Sequence, residues 1–457
     1  MTTIVWFRDD LRIADHPALH AAAARDEPVV GVYVLDEESP GVRPLGGAAR
    51  WWLHHSLASL GERMAARGAP LVLRRGAAAE VIPSLVRELD ARAVVWNRRY
   101  GGPEREIDAG VKSELRASGV EAGSFAASLL FEPWTIRTGG GTPYAVFTPF
   151  WRACQAMPAP RAPLPAPEAL RGPEIAPASD RLDDWELLPT APDWAAGLRE
   201  TWRPGEPAAR ERLQAFLDDD VRDYERARDE PAGGATSLLS PHLRWGELSP
   251  HEVWHRALAS GADAGAFLSE LGWREFAWHT LYHHPDLATA NLDRRFDAFP
   301  WPPLDPVALE AWRRGRTGFA LVDAGMRELW HTGTMHNRVR MVVASFLVKN
   351  LLIDWRHGEE WFWDTLVDAD AASNSFNWQW VAGSGADAAP FFRVFNPELQ
   401  AQKFDPQRLY VRRWAPDHAD GLGPMPIVDL KASRRAALDA YETVKQHPRS
   451  GGETEAG

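Results

Sequence analysis

Four short stretches of the sequence combine residue types that can do chemistry together. In GATSLLSPHLRWGELSP, residues 234–250, Thr236, Ser237 and Ser240 crowd hydroxyls and backbone donors at the expected start of a helix, a place that binds phosphate. The same hydroxyls could do no more than cap that helix. In SELGWREFAWH (269–279), Glu270, Trp273 and Arg274 stand at i, i+3 and i+4 and share one helix face. An acceptor, an indole and a guanidinium are what a planar nucleobase needs, and a surface ion pair beside a core tryptophan uses the same residues. In HTGTMHNRVRM (331–341), Asn337, Arg340 and Met341 repeat the spacing, with His336 just before them. Arg340 could meet a phosphate or a carboxylate, whereas a buried Asn or His is commonly a satisfied core group. In TLVDADAASNSFNWQW (365–380), Asp368, Asp370 and Asn374 precede two tryptophans. With no third acid and no histidine ligand pattern nearby, no metal is expected, and Asp368 is a candidate partner for Arg340.

The tryptophan pair raises its own question. In NWQWVAGSGADA (377–388), a helix puts Trp378 and Trp380 on different faces and a strand puts them on one. The small residues that follow let another group approach the backbone. The chain holds 22 Trp against 7 Tyr. Most must serve packing. The bias also points to work an indole does well, stacking on bases and handing on electrons.

These stretches need elements to position them. TIVWF (3–7), VVGVYVLD (29–36), PLVLRR (70–75) and AVVWNRR (93–99) read as short buried strands, with amphipathic helices in AARWWLHHSLASLGERMAARG and AAAEVIPSLVREL between them. Such alternation implies a parallel, Rossmann-like α/β domain over residues 1–130. No G-x-G-x-x-G follows the first strand and no P-loop occurs, so this is no standard dinucleotide or ATP site. Residues 131–207 read as an interdomain linker, Pro- and Ala-rich from 156 onward, extended and at best partly docked. From 208 to 445 every pattern suits a helix, an all-α domain, and 446–457 reads as a disordered tail.

The 457 residues carry a net charge of −12, which argues against a polyanionic partner for the molecule as a whole. The charge is uneven. Between Trp312 and Lys349 seven basic residues face two acidic ones, and between Arg393 and Arg413 five face two. One basic face could bind DNA, or these could be solvated helix faces. The single cysteine, Cys154, excludes an intrachain disulfide, a cysteine-rich zinc site and a cysteine-ligated iron–sulfur cluster. No run approaches a membrane span and the start resembles no targeting peptide, so a cytoplasmic protein is expected.

In this order and spacing, TSLLSPHLRWGELSP, ELGWREF, MHNRVRM, LLIDWR, DADAASN, NWQW and FRVFNP resemble the FAD-binding domain of the DNA photolyase and cryptochrome family. WFRDDLRIADHPAL resembles that family's antenna domain, and the likeness is nearest to bacterial class I cyclobutane pyrimidine dimer photolyases. The resemblance implies an all-α domain holding a U-shaped FAD. Tyr224, Thr236, Ser237, Leu238, Leu239 and Ser240 match its phosphate and ribose contacts; Arg274, Asn337, Arg340, Asp368 and Asp370 match further ones. Asn374 matches the residue facing flavin N5. Trp378, Trp355 and Trp312 match an electron-hopping chain from flavin to surface. Glu270, Trp273, Asn337, Arg338, Met341 and Trp380 match the lining of a substrate pocket, with Arg228 at its rim. The activity implied is repair of ultraviolet-damaged DNA by a monomer with no obligate protein partner. Light drives an electron from reduced FAD to a pyrimidine dimer extruded from the duplex, and the electron returns after the ring opens.

Folate-binding members carry an Asn before Glu where this chain has Pro103, and a His where it has Arg43. The match to a folate site is therefore broken; no antenna at all, or a second chromophore that is an 8-hydroxy-deazaflavin, a flavin or a folate, stay open, with the GGAARWWLHHSL helix as the expected place for one. A cryptochrome-type photoreceptor is the alternative, but its members resemble this segment with Asp or Cys at position 374. The bacterial (6–4) photolyases need cysteines this chain lacks, and a flavin oxidoreductase using NAD(P)H lacks its fingerprint here.

Overall fold

The structure is a computed structural model that describes residues 2–175, 177–388 and 393–447. Its first part is a five-stranded parallel sheet of β1 (Thr2–Phe7), β2 (Val29–Leu35), β3 (Leu71–Arg75), β4 (Ala91–Asn97) and β5 (Glu121–Phe125), in the order β3-β2-β1-β4-β5. Every residue of β1 and β2 is buried, as in a sheet covered on both faces, and Val5 pairs with Gly31 on one side and Val95 on the other. The crossovers are α1 (Pro17–Ala23), α2 (Gly47–Ala66), α3 (Ala78–Glu88) and α4 (Gly102–Ala117). Strand β5 leaves no strand pattern in the sequence, since EAGSF has a central glycine and no apolar run.

The Pro-rich segment corrects the expectation of a loosely docked linker. Just before it the linker forms α5 (Phe147–Ala156), whose Phe147, Phe150, Trp151 and Cys154 are buried against the helical part. Its later stretch lies along the sheet domain. The Leu170 amide donates to the Arg67 carbonyl, Val29 donates to Arg171, and Asp180 donates to Leu73. Leu170, Trp185, Leu187 and Trp202 are buried with the sheet's core, and Trp202 Nε1 donates to the Thr332 carbonyl at 2.7 Å. Prolines exclude regular structure but leave carbonyls and apolar side chains free to dock.

After α6 (Ala196–Thr201) and α7 (Glu206–Ala215) only helices follow among the described residues. Short α8 (Tyr224–Ala227) and α9 (Ser240–Arg244) precede α10 (Pro250–Ala259) and the long α11 (Gly265–His283). Then come α12 (Pro306–Arg313), α13 (Ala320–Thr332), α14 (Asn337–Ser345), α15 (Trp355–Thr365) and α16 (Ser373–Ala382). Their core gathers Trp312, Phe346, Trp355, Phe362 and Trp378. The chain closes with α17 (Pro397–Phe404), α18 (Leu409–Trp414), α19 (Pro416–Ala419) and α20 (Leu430–Gln446), so the expected tail begins one residue inside a helix, and residues 448–457 lie outside the described ones. No described helix is long and apolar enough to cross a membrane.

Candidate flavin and DNA site

Helices α8, α9, α11, α14 and α16 surround one cavity of ≈ 820 Å³. Sizes of about 300–1,000 Å³ suit a large organic ligand. Each stretch singled out in the sequence contributes to its wall.

The hydroxyl-rich loop supplies Thr236 through Ser240. Arg212 on α7 donates to the carbonyls of Ser237 at 2.9 Å and Thr236 at 3.1 Å. With those carbonyls engaged, the hydroxyls are what the loop offers the cavity. Leu238 has φ of 51°, a left-handed backbone that a branched side chain adopts at a cost. The capping alternative is not realised, because α9 has no side-chain cap. The Ser240 hydroxyl crosses instead to Asp368 at 2.6 Å.

Asp368 is the hub of this end. Arg340 on α14 donates to both its oxygens, at 3.2 and 2.9 Å. Arg340 also donates to the Met335 carbonyl at 2.7 Å and the Thr334 hydroxyl at 3.2 Å, so it organises the wall around the Asp368 carboxylate. Asp370 accepts from the amides of Ala372 at 2.9 Å and Ser373 at 2.7 Å and thereby starts α16, while still lining the cavity. Asn374, one turn on, is buried; its Nδ2 donates to the Glu359 carbonyl at 3.0 Å and to Glu359 Oε1 at 2.9 Å. Both amide protons face acceptors, which fixes the amide's orientation and leaves Oδ1 as its other polar atom. Tyr224 lines the cavity from α8 beneath the Arg228 guanidinium at 5.3 Å, its hydroxyl pushed up to about 12 by burial and by the Glu270 charge.

The helix face expected on α11 forms the opposite rim. Glu270 pairs with Arg228 at 2.5 Å, both partly exposed, so an ion pair is part of what these residues do. Trp273 lines the cavity and stacks on Phe147 of α5 at 3.8 Å and 11°. Arg274 donates to the Ser128 carbonyl at 2.9 Å. Asn337, Met341 and Trp380 complete the rim, and Arg393 lies over the Trp380 ring at 5.9 Å. Arg338 does not reach the cavity. It pairs with Asp229 at 2.7 Å and lies over Phe404, since a helix turns consecutive residues about 100° apart.

Trp378 and Trp380 share a helix after all, and both touch the cavity from different faces of α16. The small residues after them serve the helix itself. Gly383 ends it in the left-handed region, and a Cβ on Gly385 would lie 2.7 Å from the Trp380 nitrogen. Trp378 is buried where Gly358 leaves room for its indole, and its Nε1 has no acceptor among the described residues. Behind it stand Phe362 at 4.9 Å and Trp312 at 6.2 Å. Trp355 is in the same core. Here the expected chain needs correction. Trp312 is fully buried, with Nε1 on the Val343 carbonyl at 3.1 Å, so it cannot be a surface end. Trp301, which no sequence motif marks, is partly exposed and packs against that core, its ring tilted 39° against Phe299 at 4.3 Å. Phe392 of the FRVFNP motif lies outside the described residues.

The donor set fits a flavin dinucleotide: hydroxyls and a strained turn for phosphates, a carboxylate–guanidinium pair, and an amide and an indole for a ring system. No cluster of metal-ligating side chains occurs among the described residues. Of the positions compared with a folate site, Pro103 packs against Gly41, where an added Cβ would lie 3.0 Å away, and the Arg43 guanidinium is held at Glu359.

Comparison with known proteins agrees with this geometry. Residues 3–168 match the family model described as DNA photolyase, and residues 267–422 match the FAD binding domain of DNA photolyase. The chain is 49% identical to a deoxyribodipyrimidine photo-lyase of Agrobacterium fabrum over 97% of its length and 98% of that protein's. It is 37% identical to Cryptochrome-1 of Arabidopsis thaliana over 91% of its own length and 63% of that protein's. The crystal structure of a bacterial class III photolyase from Agrobacterium tumefaciens superposes with a TM-score of 0.94 at 48% identity, covering 98% of both chains. The motifs had suggested a class I likeness; that structure is of class III. With both domains matched and FAD as the cofactor of the second, the chain belongs to the DNA photolyase and cryptochrome family.

Proposed function

We propose that this protein splits cyclobutane pyrimidine dimers in ultraviolet-damaged DNA with light, acting as a cytoplasmic monomer. The observation that carries the reading is a single cavity with a buried polar end and a half-exposed aromatic rim. Asp368, Arg340, Ser240 and the 236–240 loop hold FAD at the buried end, and Asn374 presents Oδ1 to its ring. When bound in its reduced form, FAD would supply the light-driven one-electron transfer that opens the dimer, with no net redox change. Trp273 and Trp380 wall the place of the extruded dimer, with Glu270, Asn337 and Met341 beside them. Extrusion costs a few kcal/mol, least at damaged bases, which favours the lesion over intact duplex. Arg228 and Arg393 meet the backbone phosphates at the rim. Electrons reach Trp378 from Trp301 through the Trp355 core.

The test is repair of an oligonucleotide carrying one cyclobutane dimer by protein reduced chemically in the dark. Blue light should restore the two pyrimidines, darkness should not, and a (6–4) photoproduct should survive. Trp378→Phe should repair like the parent once reduced, yet fill with electrons far more slowly when illuminated oxidised. A holoprotein that leaves the dimer intact under light, reduced, is a photoreceptor and not a repair enzyme.

A further inference from the structure

Glu359 has a neighbour from the other domain. Arg43, on the loop after β2, donates from Nη1 to Glu359 Oε1 and from Nη2 to Oε2, each at 2.8 Å. Such a two-pronged pair fixes orientation as well as charge. The Glu359 side chain is only 2% exposed, whereas that of Arg43 is 33% exposed. Glu359 Oε1 also accepts from the Ser375 hydroxyl at 3.0 Å and from Asn374 Nδ2. Around Arg43 the loop is pinned to α15. The guanidinium lies 4.2 Å over the Trp363 ring, Trp363 Nε1 donates to the Pro44 carbonyl at 2.8 Å, and the Gly47 amide donates to Asp364 at 2.8 Å. A Cβ on Gly46 would strike the Trp363 carbonyl, so the backbones are in contact.

We infer that Arg43 is a positioning residue for the flavin: through Glu359 it holds the Asn374 amide with Oδ1 toward the cavity, so that the α/β domain helps set the redox balance of a cofactor bound in the helical domain. The inference rests on the reading of Asn374 as the residue facing the flavin ring. Its physical content is a charge and an orientation. Paired with Arg43, the Glu359 carboxylate is compensated and accepts one Asn374 proton while the Glu359 backbone carbonyl accepts the other. Without Arg43, a nearly buried carboxylate stands uncompensated one side chain from the cavity. That negative charge opposes the extra electron on a reduced flavin. If the carboxylate takes up a proton instead, it competes with Asn374 as a donor, and the amide is no longer held.

The experiment is spectroelectrochemical titration of FAD bound to the full-length protein. Arg43→Ala should keep its flavin and hold about tenfold less of it reduced at a fixed potential, about 59 mV for a one-electron step. Trp363→Phe loosens the same domain contact without touching Glu359; it should lower the melting temperature and leave the potential unchanged. Asn374→Ala should shift the potential by itself, and adding Arg43→Ala to it should shift it by less than Arg43→Ala shifts the parent, because the part relayed through the amide is already lost and only the uncompensated Glu359 charge remains. Should Arg43→Ala lose its flavin, Arg43→Lys keeps the charge without the fork and should show the same shift in smaller measure. A shift in Asn374→Ala with none in the Arg43 variants overturns the inference and spares the reading of Asn374. No shift in Asn374→Ala overturns both. Equal shifts in Arg43→Ala and Trp363→Phe reduce Arg43 to a domain clasp.

Discussion

The two ends of the cavity are built differently. At the buried end each polar side chain is held by more than one partner: Asp368 by Arg340 and Ser240, Asn374 by two acceptors on Glu359, and Glu359 by Arg43 and Ser375. At the rim, Glu270 and Arg228 hold each other while partly exposed, and Trp273 and Trp380 are half-buried rings with long cations near them. An over-determined end suits an occupant that stays, because its shape is fixed beforehand. A rim of half-exposed aromatic faces and long cations suits one that arrives, is read by stacking and leaves.

The largest expected break is at Asp368. Asp368→Ala leaves Arg340 without its carboxylate and the Ser240 hydroxyl without its acceptor. Losing one partner of a buried ion pair costs about 3–5 kcal/mol, and the lower figure applies because a quarter of the Arg340 side chain stays exposed. Flavin uptake should fall at least tenfold, measured by absorbance of the purified protein, and the melting temperature should drop by several degrees. A variant that folds and fills with FAD like the parent would mean that the buried end is not over-determined.

The rim should respond in another currency. Trp273→Ala should lower affinity for dimer-containing DNA by about 1–3 kcal/mol while flavin content and melting temperature stay close to the parent's. Binding of undamaged duplex should change little. Arg393→Ala should weaken both DNAs alike and flatten the salt dependence by about one unit of slope. Equal losses on damaged and intact DNA for Trp273→Ala would make its stack on Phe147 structural and erase the contrast between the two ends.

How much of this was legible in the sequence follows the same division. Strands β1 to β4 showed as apolar runs because both faces of a parallel sheet are buried. Residues sharing a helix face, such as Glu270 with Trp273 and Asn337 with Met341, showed through the helical period. The Asp368–Arg340 pair was named as a candidate from charge alone. What holds those residues was hidden, since Arg212, Phe147, Glu359 and Arg43 come from distant segments, up to 316 residues away in the case of Arg43 and Glu359. Period and spacing carry no trace of such partners. Burial is equally non-local: EAWRRG gives no sign that Trp312 is sealed in the core, nor FPWPPL that Trp301 reaches the surface. The Pro-rich strap failed for a related reason, as Leu170, Trp185, Leu187 and Trp202 recur with no period at all.

The smallest expected effect lies at the boundary between the two ends, at Glu328. It lines the cavity, accepts from the Tyr410 hydroxyl and from the His336 amide at 3.4 Å, and burial pushes its carboxyl up to about 7. An acid whose folded value lies above its unfolded one, about 4.5, holds in the folded state a proton that the unfolded chain has already lost. Its contribution to stability is therefore whole below pH about 4.5, declines up to pH about 7, and is flat beyond. His336 beside it runs the other way: burial lowers it to about 4, so its contribution is present above about 6.5 and lost as pH falls toward about 4. A melting curve of the parent alone would mix the two. Glu328→Gln removes one and keeps the other, so the difference in stability between parent and variant should slope downward from pH 4.5 to 7, by about 1 kcal/mol once solvent screening of a partly exposed carboxyl is allowed for. Thermal unfolding of both holoproteins at five or six pH values measures it. A flat difference would mean that water entering by the rim keeps Glu328 at its ordinary value, and that the adaptable part of the cavity reaches deeper than the hydrogen bonds of its buried end suggest.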